Sequence, residues 1–181
     1  MLVIPAIDLR DGKVVRLRQG EADAQTIYSQ DPVAVAREFK QKGATRLHVV
    51  DLDGAFSGQM AHRQLIGKLA QVGLDVEVGG GLRDLHSLEQ LFAQGVRWAI
   101  LGTAVARNPE FVREAAKTFP GKIIVGLDLK GDQLAIGGWQ QTVPLALEDL
   151  LAQLFEWGVA QIIYTEVSRD GMLQGHFGVD D

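Results

Sequence analysis

An apolar run ending on an aspartate occurs twice in the chain. Ile4-Pro5-Ala6-Ile7-Asp8-Leu9-Arg10 and Ile124-Val125-Gly126-Leu127-Asp128-Leu129-Lys130 superpose at an offset of 120 residues. Each copy runs into a short polar turn containing glycine, then a second extended segment, residues 12–17 and 131–136. Self-similarity at a fixed offset constrains the fold before any local reading does, and here it predicts a duplicated half. Continuous apolar runs such as 2–8 suit parallel strands buried on both faces. Ligands of parallel α/β sheets gather at the carboxyl ends of the strands. Asp8 alone reads equally well as a turn or cap aspartate. The second copy shifts the reading toward one carboxylate per half.

Between the copies, strands and helices alternate. Strands are predicted near residues 4, 49, 76, 99, 124 and 162. Asp31-Pro32 and Asn108-Pro109 open helices as N-cap and first helical residue, Asp84 caps another, and helices are expected over 62–72 and 147–157. Residues 10–30 read as a loop with a strand excursion at 14–18, residues 52–59 as a loop, and the glycine-rich 166–181 as irregular. Unbroken β-α alternation with right-handed crossovers permits a doubly wound sheet or a barrel. The 120-residue repeat, with four strands in its first unit, selects the α/β (β/α)8 barrel with a half-barrel repeat. The expectation is one domain over 1–181, its first half about 1–120 and part of its second about 121–181, with about six β/α units and the last quarter missing.

The totals exclude several classes. A net charge of −5 argues against a nucleic-acid-binding surface, so an anionic substrate would have to be held by local donors. There is no cysteine, hence no disulfide, thiolate metal site or thiol nucleophile, as suits a cytoplasmic protein. No run is long enough to span a membrane, and no basic segment precedes the first strand. No His/Asp/Glu group shows metal-ligand spacing and no serine sits in a nucleophile elbow. Neither metal nor cofactor is expected.

Two glycine clusters, Gly79-Gly80-Gly81 and Gly102-Thr103, follow the third and fourth barrel strands. Glycine lets backbone N–H groups approach an anion, and the following helices offer positive N-terminal ends. A phosphate cradle is therefore expected, tight strand-to-helix turns being the plainer account. The paired aspartates suit general acid–base work, one ionised and one protonated. Arg16, Arg18 and Arg83 are bidentate donors for phosphate or carboxylate, with Arg18 better read as a solvated surface arginine. Trp139, beside Gly137-Gly138, could stack on a heterocycle or pack a lid. His48 lies inside a strand, where a histidine satisfied in the core is the commoner outcome, and it is kept among the substrate-binding candidates.

The runs 4–17, 47–55, 78–83 and 168–171 together resemble the phosphoribosylformimino-aminoimidazole carboxamide ribotide isomerases of histidine biosynthesis, over nearly the whole chain up to about Gly175. The resemblance implies a metal-free two-half barrel that performs an Amadori rearrangement on a small bisphosphate ribonucleotide, with no nucleic-acid or membrane partner. By position, Asp8 would be the general base, Asp128 the general acid, and Asp170 a further acidic residue with acid function in some members. Gly80, Gly81, Gly102 and Thr103 would form one phosphate site; Arg16, Arg83, Trp139 and Thr165 would contact substrate. The family's usual strand-six Thr-Asp is here Thr165-Glu166, and Pro-Asn after Gly175 is here His176-Phe177. The related cyclase carries Cys-Leu-Asp where this chain has Ala6-Ile7-Asp8, which favours the isomerase. Two further alternatives are an isomerase of double specificity, serving tryptophan biosynthesis as well, and a non-catalytic barrel fragment. A complete enzyme is expected to be a monomer; a chain ending at the sixth unit is expected to self-associate through its open edges.

Overall fold

A computed structural model describes residues 1–18, 21–136, 141–144 and 146–169. Among the described residues, six strands lie parallel and in chain order: β1 (Ala6–Arg10), β4 (Arg46–Asp51), β5 (Asp75–Gly79), β6 (Trp98–Leu101), β7 (Ile123–Lys130) and β10 (Gln161–Glu166). Two antiparallel excursions leave the path: β2 (Lys13–Arg18) with β3 (Glu21–Ser29) after β1, and β8 (Gln133–Ile136) with β9 (Gln141–Pro144) after β7. Helices α1 (Pro32–Gln41), α3 (Arg63–Ala70), α4 (Leu85–Ala93), α6 (Pro109–Thr118) and α7 (Leu147–Glu156) form the crossovers. None of the described helices is long and apolar enough to cross a membrane.

The duplication extends to register. Leu9 pairs with Val14 and Arg10 with Lys13; 120 residues later Leu129 pairs with Leu134 and Lys130 with Gln133. In the first copy Asp11 and Gly12 both take positive φ, 50° and 72°, as a two-residue hairpin turn matched to strand twist requires.

The sheet is curled. The Arg46 Nη2 donates to Gln161 Oε1 at 2.8 Å, although β5, β6 and β7 lie between their strands. In a flat sheet, four strand spacings would hold them about 19 Å apart. Arg46, His48, Glu77, Trp98 and Gln161 therefore share the concave face. Leu47, Val49, Val76, Val78, Ala99 and Val125 alternate with that set and are fully buried on the convex side, where α3 and α4 pack their Ile66, Leu69, Leu88 and Leu91. Among the described residues no ladder joins β1 to β10, so the curl is open there.

Helix starts follow the expected chemistry. Asp31, Asp84 and Asn108 each accept from the backbone N–H three residues on, and proline occupies the first turn of α1 and α6. Several readings need correction. Residues 52–59 are not a plain loop: Leu52–Ser57 form a helix, α2, because Asp51 accepts from Gly54 N–H and Gly58 closes the turn at φ 79°. Ala104–Arg107 form a one-turn helix, α5. The loop 10–30 contains β3, which finds its partner in β2. The first strand begins at Ala6 and not at residue 2, and Leu2 and Val3 stand 60% and 68% exposed. An apolar run becomes strand only where a neighbour completes its ladder.

Candidate active site

A cavity of about 660 Å³ opens at the carboxyl ends of the parallel strands. Asp8, near the end of β1, and Asp128, near the end of β7, both line it. Asp8 sits opposite Val50 of β4, and Asp128 opposite Thr165 of β10, which also lines the cavity. Both carboxylates are half-buried, and both have interaction partners. The duplicated strands thus place one carboxylate each on the wall of one cavity.

Gly80, Gly81, Gly102 and Thr103 lie on the same cavity, but the glycines differ in kind. Gly80 has φ 108°, and a Cβ there would fall 2.2 Å from the Asp51 carbonyl oxygen. Gly81 has φ 73°, and its Cβ would meet the Gln59–Met60 peptide at 2.5 Å. Packing alone demands glycine at both. At Gly102 the nearest atom to an added Cβ is Gly126 O at 3.7 Å, so packing leaves room for a Cβ there. The expected helix N-termini contribute little: α4 is already capped by the Asp84 carboxylate, and α5 has four residues. Donors to an anion here would be loop N–H groups.

Arg83 reaches the cavity rim, its guanidinium laid over Gly58, where any side chain would collide with it. His48 lines the cavity as well. Arg16 does not: it is exposed on β2, paired with Thr26, and outside the cavity lining. Trp139 and Asp170 lie outside the described residues.

Two polar networks beside the cavity were not foreseen. In the first, His48 Nδ1 lies 2.6 Å from Glu77 Oε1, and Arg46 pairs with Glu77 Oε2 through its guanidinium. The Arg46 guanidinium also stacks on Trp98, 4.0 Å from the ring centroid. Glu77 is 1% exposed. Burial pushes its carboxyl up, yet the His48 hydrogen bond and the charge and hydrogen bond of Arg46 outweigh that and hold it below the ordinary carboxylate range. The available signal was a charge in the middle of an apolar strand, which must find a partner.

In the second network the fully buried Asp51 accepts four hydrogen bonds. They come from Gly54 N–H at 2.9 Å, Ala61 N–H at 2.6 Å, His62 N–H at 2.8 Å and the His62 ring at 2.8 Å. The His62 Nε2 accepts from Gly12 N–H at 2.9 Å, so Nδ1 carries the proton toward Asp51. Asp53 accepts from Asp11 N–H at 2.8 Å. The hairpin turn that follows Asp8 is thereby tied to the strand-four side of the cavity. Asp51, Asp53 and His62 form a group that linear spacing hid and that has the donor types of a metal site. Asp51's oxygens and both His62 nitrogens are already engaged by protein donors and acceptors, which suits a structural clamp.

A family model described as histidine biosynthesis protein matches residues 2–177. Two relatives from Polaromonas naphthalenivorans (strain CJ2) and Polaromonas sp. (strain JS666 / ATCC BAA-500) are each 49% identical over 178 residues, covering 97% of this chain and 72% of the relative. One from Hahella chejuensis (strain KCTC 2396) is 45% identical over 177 residues, with the same coverage. All three bear the name 1-(5-phosphoribosyl)-5-((5-phosphoribosylamino)methylideneamino) imidazole-4-carboxamide isomerase. With its curled, parallel-stranded α/β sheet, its paired carboxylates and a match spanning nearly its whole length, the chain belongs to the histidine biosynthesis protein family, whose fold is the TIM barrel.

Proposed function

We propose that the chain is an aldose–ketose isomerase. Its substrate is the N-linked phosphoribosyl ribonucleotide named for its relatives, and its reaction the Amadori rearrangement of that ribose. The observation that carries this reading is the pair Asp8 and Asp128, contributed by duplicated strands to one cavity. The relatives' printed names support it, and because they carry this one activity, double specificity is not favoured.

The reaction needs a series of proton transfers and no net redox partner. A general acid protonates the ribose ring oxygen, the C1–O bond breaks, and the nitrogen lone pair forms a C1=N iminium. A general base removes the C2 proton, giving an enolamine. Reprotonation at C1, with loss of the hydroxyl proton at C2, leaves the ketone. Asp8 is assigned the base and Asp128 the acid, with Asp170 a further acid candidate. Gly102 and Thr103, with the N–H groups near Gly80 and Gly81, are assigned one phosphate and Arg83 an anionic group at the rim. Thr165, His48, Arg16 and Trp139 complete the proposed contacts, Arg16 requiring the β2 excursion to turn inward.

Asp8→Asn is expected to lose at least about 10²–10⁴-fold in turnover, the usual span of a general acid–base contribution, while still binding a bisphosphate product analogue. Asp128→Asn is expected to impair ring-closed substrate more than pre-opened substrate. Activity within a fewfold of the unaltered protein in Asp8→Asn refutes the assignment.

A further inference from the structure

Glu77 is a buried carboxylate that the proposed proton transfers do not use. It lies on β5 in register with His48 of β4, and the next pair toward the mouth on the same face is Val50–Gly79, level with Asp8. His48 therefore forms the layer beneath the proposed base, and its ring lines the cavity. An ionised carboxylate can only accept, so the 2.6 Å contact puts a hydrogen on His48 Nδ1. Glu77's charge is already matched by Arg46, which also donates to Gln161 and stacks on Trp98. A second cation on His48 would have to share the one Glu77 carboxylate with Arg46.

We propose that Glu77 is a positioning residue: with Arg46 behind it, it locks His48 as the neutral Nδ1–H tautomer and so presents the Nε2 lone pair to a sugar hydroxyl of the substrate. This rests on the isomerase reading above for its substrate. The lock has a definite polarity. Arg46 has only hydrogens to offer, so whatever group replaces the carboxylate must turn its oxygen to Arg46. In Glu77→Gln the carbonyl is held by Arg46 and the amide NH₂ faces His48, donates to Nδ1, and drives the ring proton to Nε2. The buried hydrogen bonds survive, but the cavity now meets an N–H where it met a lone pair. Carboxylate-to-amide exchange behind a histidine is known to impair catalysis by imposing the wrong tautomer.

The test is ¹⁵N spectroscopy of the histidine rings in the unaltered chain and in Glu77→Gln, with His48→Gln identifying the His48 signals. Alongside it, kcat/KM for the ribonucleotide is measured in Glu77→Gln, His48→Gln and the double variant. The expected result is Nδ1–H in the unaltered protein, Nε2–H in Glu77→Gln, and a loss of roughly tenfold or more in kcat/KM. The double variant should be no worse than His48→Gln, because Glu77 acts through that ring. An imidazolium or Nε2–H tautomer in the unaltered protein overturns the proposal. So does an unchanged tautomer in Glu77→Gln, full activity in that variant, or additive losses in the double variant. If the unaltered chain shows no isomerase turnover, the functional reading fails, while the ring spectra still decide the tautomer.

Discussion

Asp51→Asn isolates the clamp beneath the first loop. The exchange is isosteric, so no cavity forms and the effect is confined to hydrogen bonding. In the native site Oδ1 accepts from Gly54 N–H and the His62 ring, while Oδ2 accepts from the N–H groups of Ala61 and His62. An amide keeps one carbonyl oxygen. If that oxygen takes the Oδ2 position, the new NH₂ confronts Gly54 N–H and can only donate to His62 Nδ1. His62 must then carry its proton on Nε2, which confronts Gly12 N–H. If the amide is reversed, Ala61 and His62 lose their backbone acceptor. Either way two donors, buried at Gly54 and part-buried at Gly12, Ala61 and His62, lose their acceptor, at up to about 1–3 kcal/mol each, or about 3 kcal/mol together. That is a large part of the 5–15 kcal/mol usual for a domain. Guanidinium unfolding of both proteins measures it as a shift in midpoint at constant slope. A loss below about 1 kcal/mol refutes the four-donor assignment. Asp53→Asn is the control, since Asp53 is part-exposed and accepts mainly from Asp11 N–H.

Gly81→Ala is expected to cost about 3 kcal/mol or more from positive φ and backbone overlap, whatever is bound, whereas Gly102→Ala should melt close to the unaltered protein and lose affinity for a phosphorylated ligand; thermal melts with and without the ligand separate them, and unchanged affinity in Gly102→Ala removes that residue from the phosphate site. Because Glu77's carboxyl lies below its ordinary value of 4.5, it stabilises the fold above that pH and the contribution is lost as pH falls through the depressed value. The stability gap between the unaltered chain and Glu77→Gln should therefore shrink in acid, as unfolding at neutral pH and at about pH 3 will read. EDTA should change neither melting temperature nor turnover, since the oxygens of Asp51 and both ring nitrogens of His62 are engaged by the protein; activity lost to chelator and restored by a divalent cation contradicts this.

The features legible in the sequence are those written in short segments. Asp31-Pro32, Asn108-Pro109 and Asp84 cap helices through bonds to residues three positions on, so local spacing sufficed. The 120-residue repeat determined the paired carboxylates and two matching hairpin registers, because the same short run followed by the same turn pairs in the same way. Gly80 and Gly81 were legible as special, but not why: the backbone that excludes a side chain there comes from Asp51 and from Gln59–Met60.

What only the tertiary structure decided are contacts between residues remote in the chain. Leu2 and Val3 look like buried strand and are exposed, because burial depends on what lies alongside. Arg16 looks like a substrate ligand and lies exposed outside the cavity lining, on a strand placed by its pairing with β1 and β3. The Arg46–Glu77–His48 string, the reach from Arg46 to Gln161 and the bond from Gly12 to His62 join residues 29 to 115 positions apart. No local propensity encodes such pairs. They form because curling the sheet removes water from polar groups on its concave face, and each group so buried must find its hydrogen-bond partner among whatever strands the fold brings opposite.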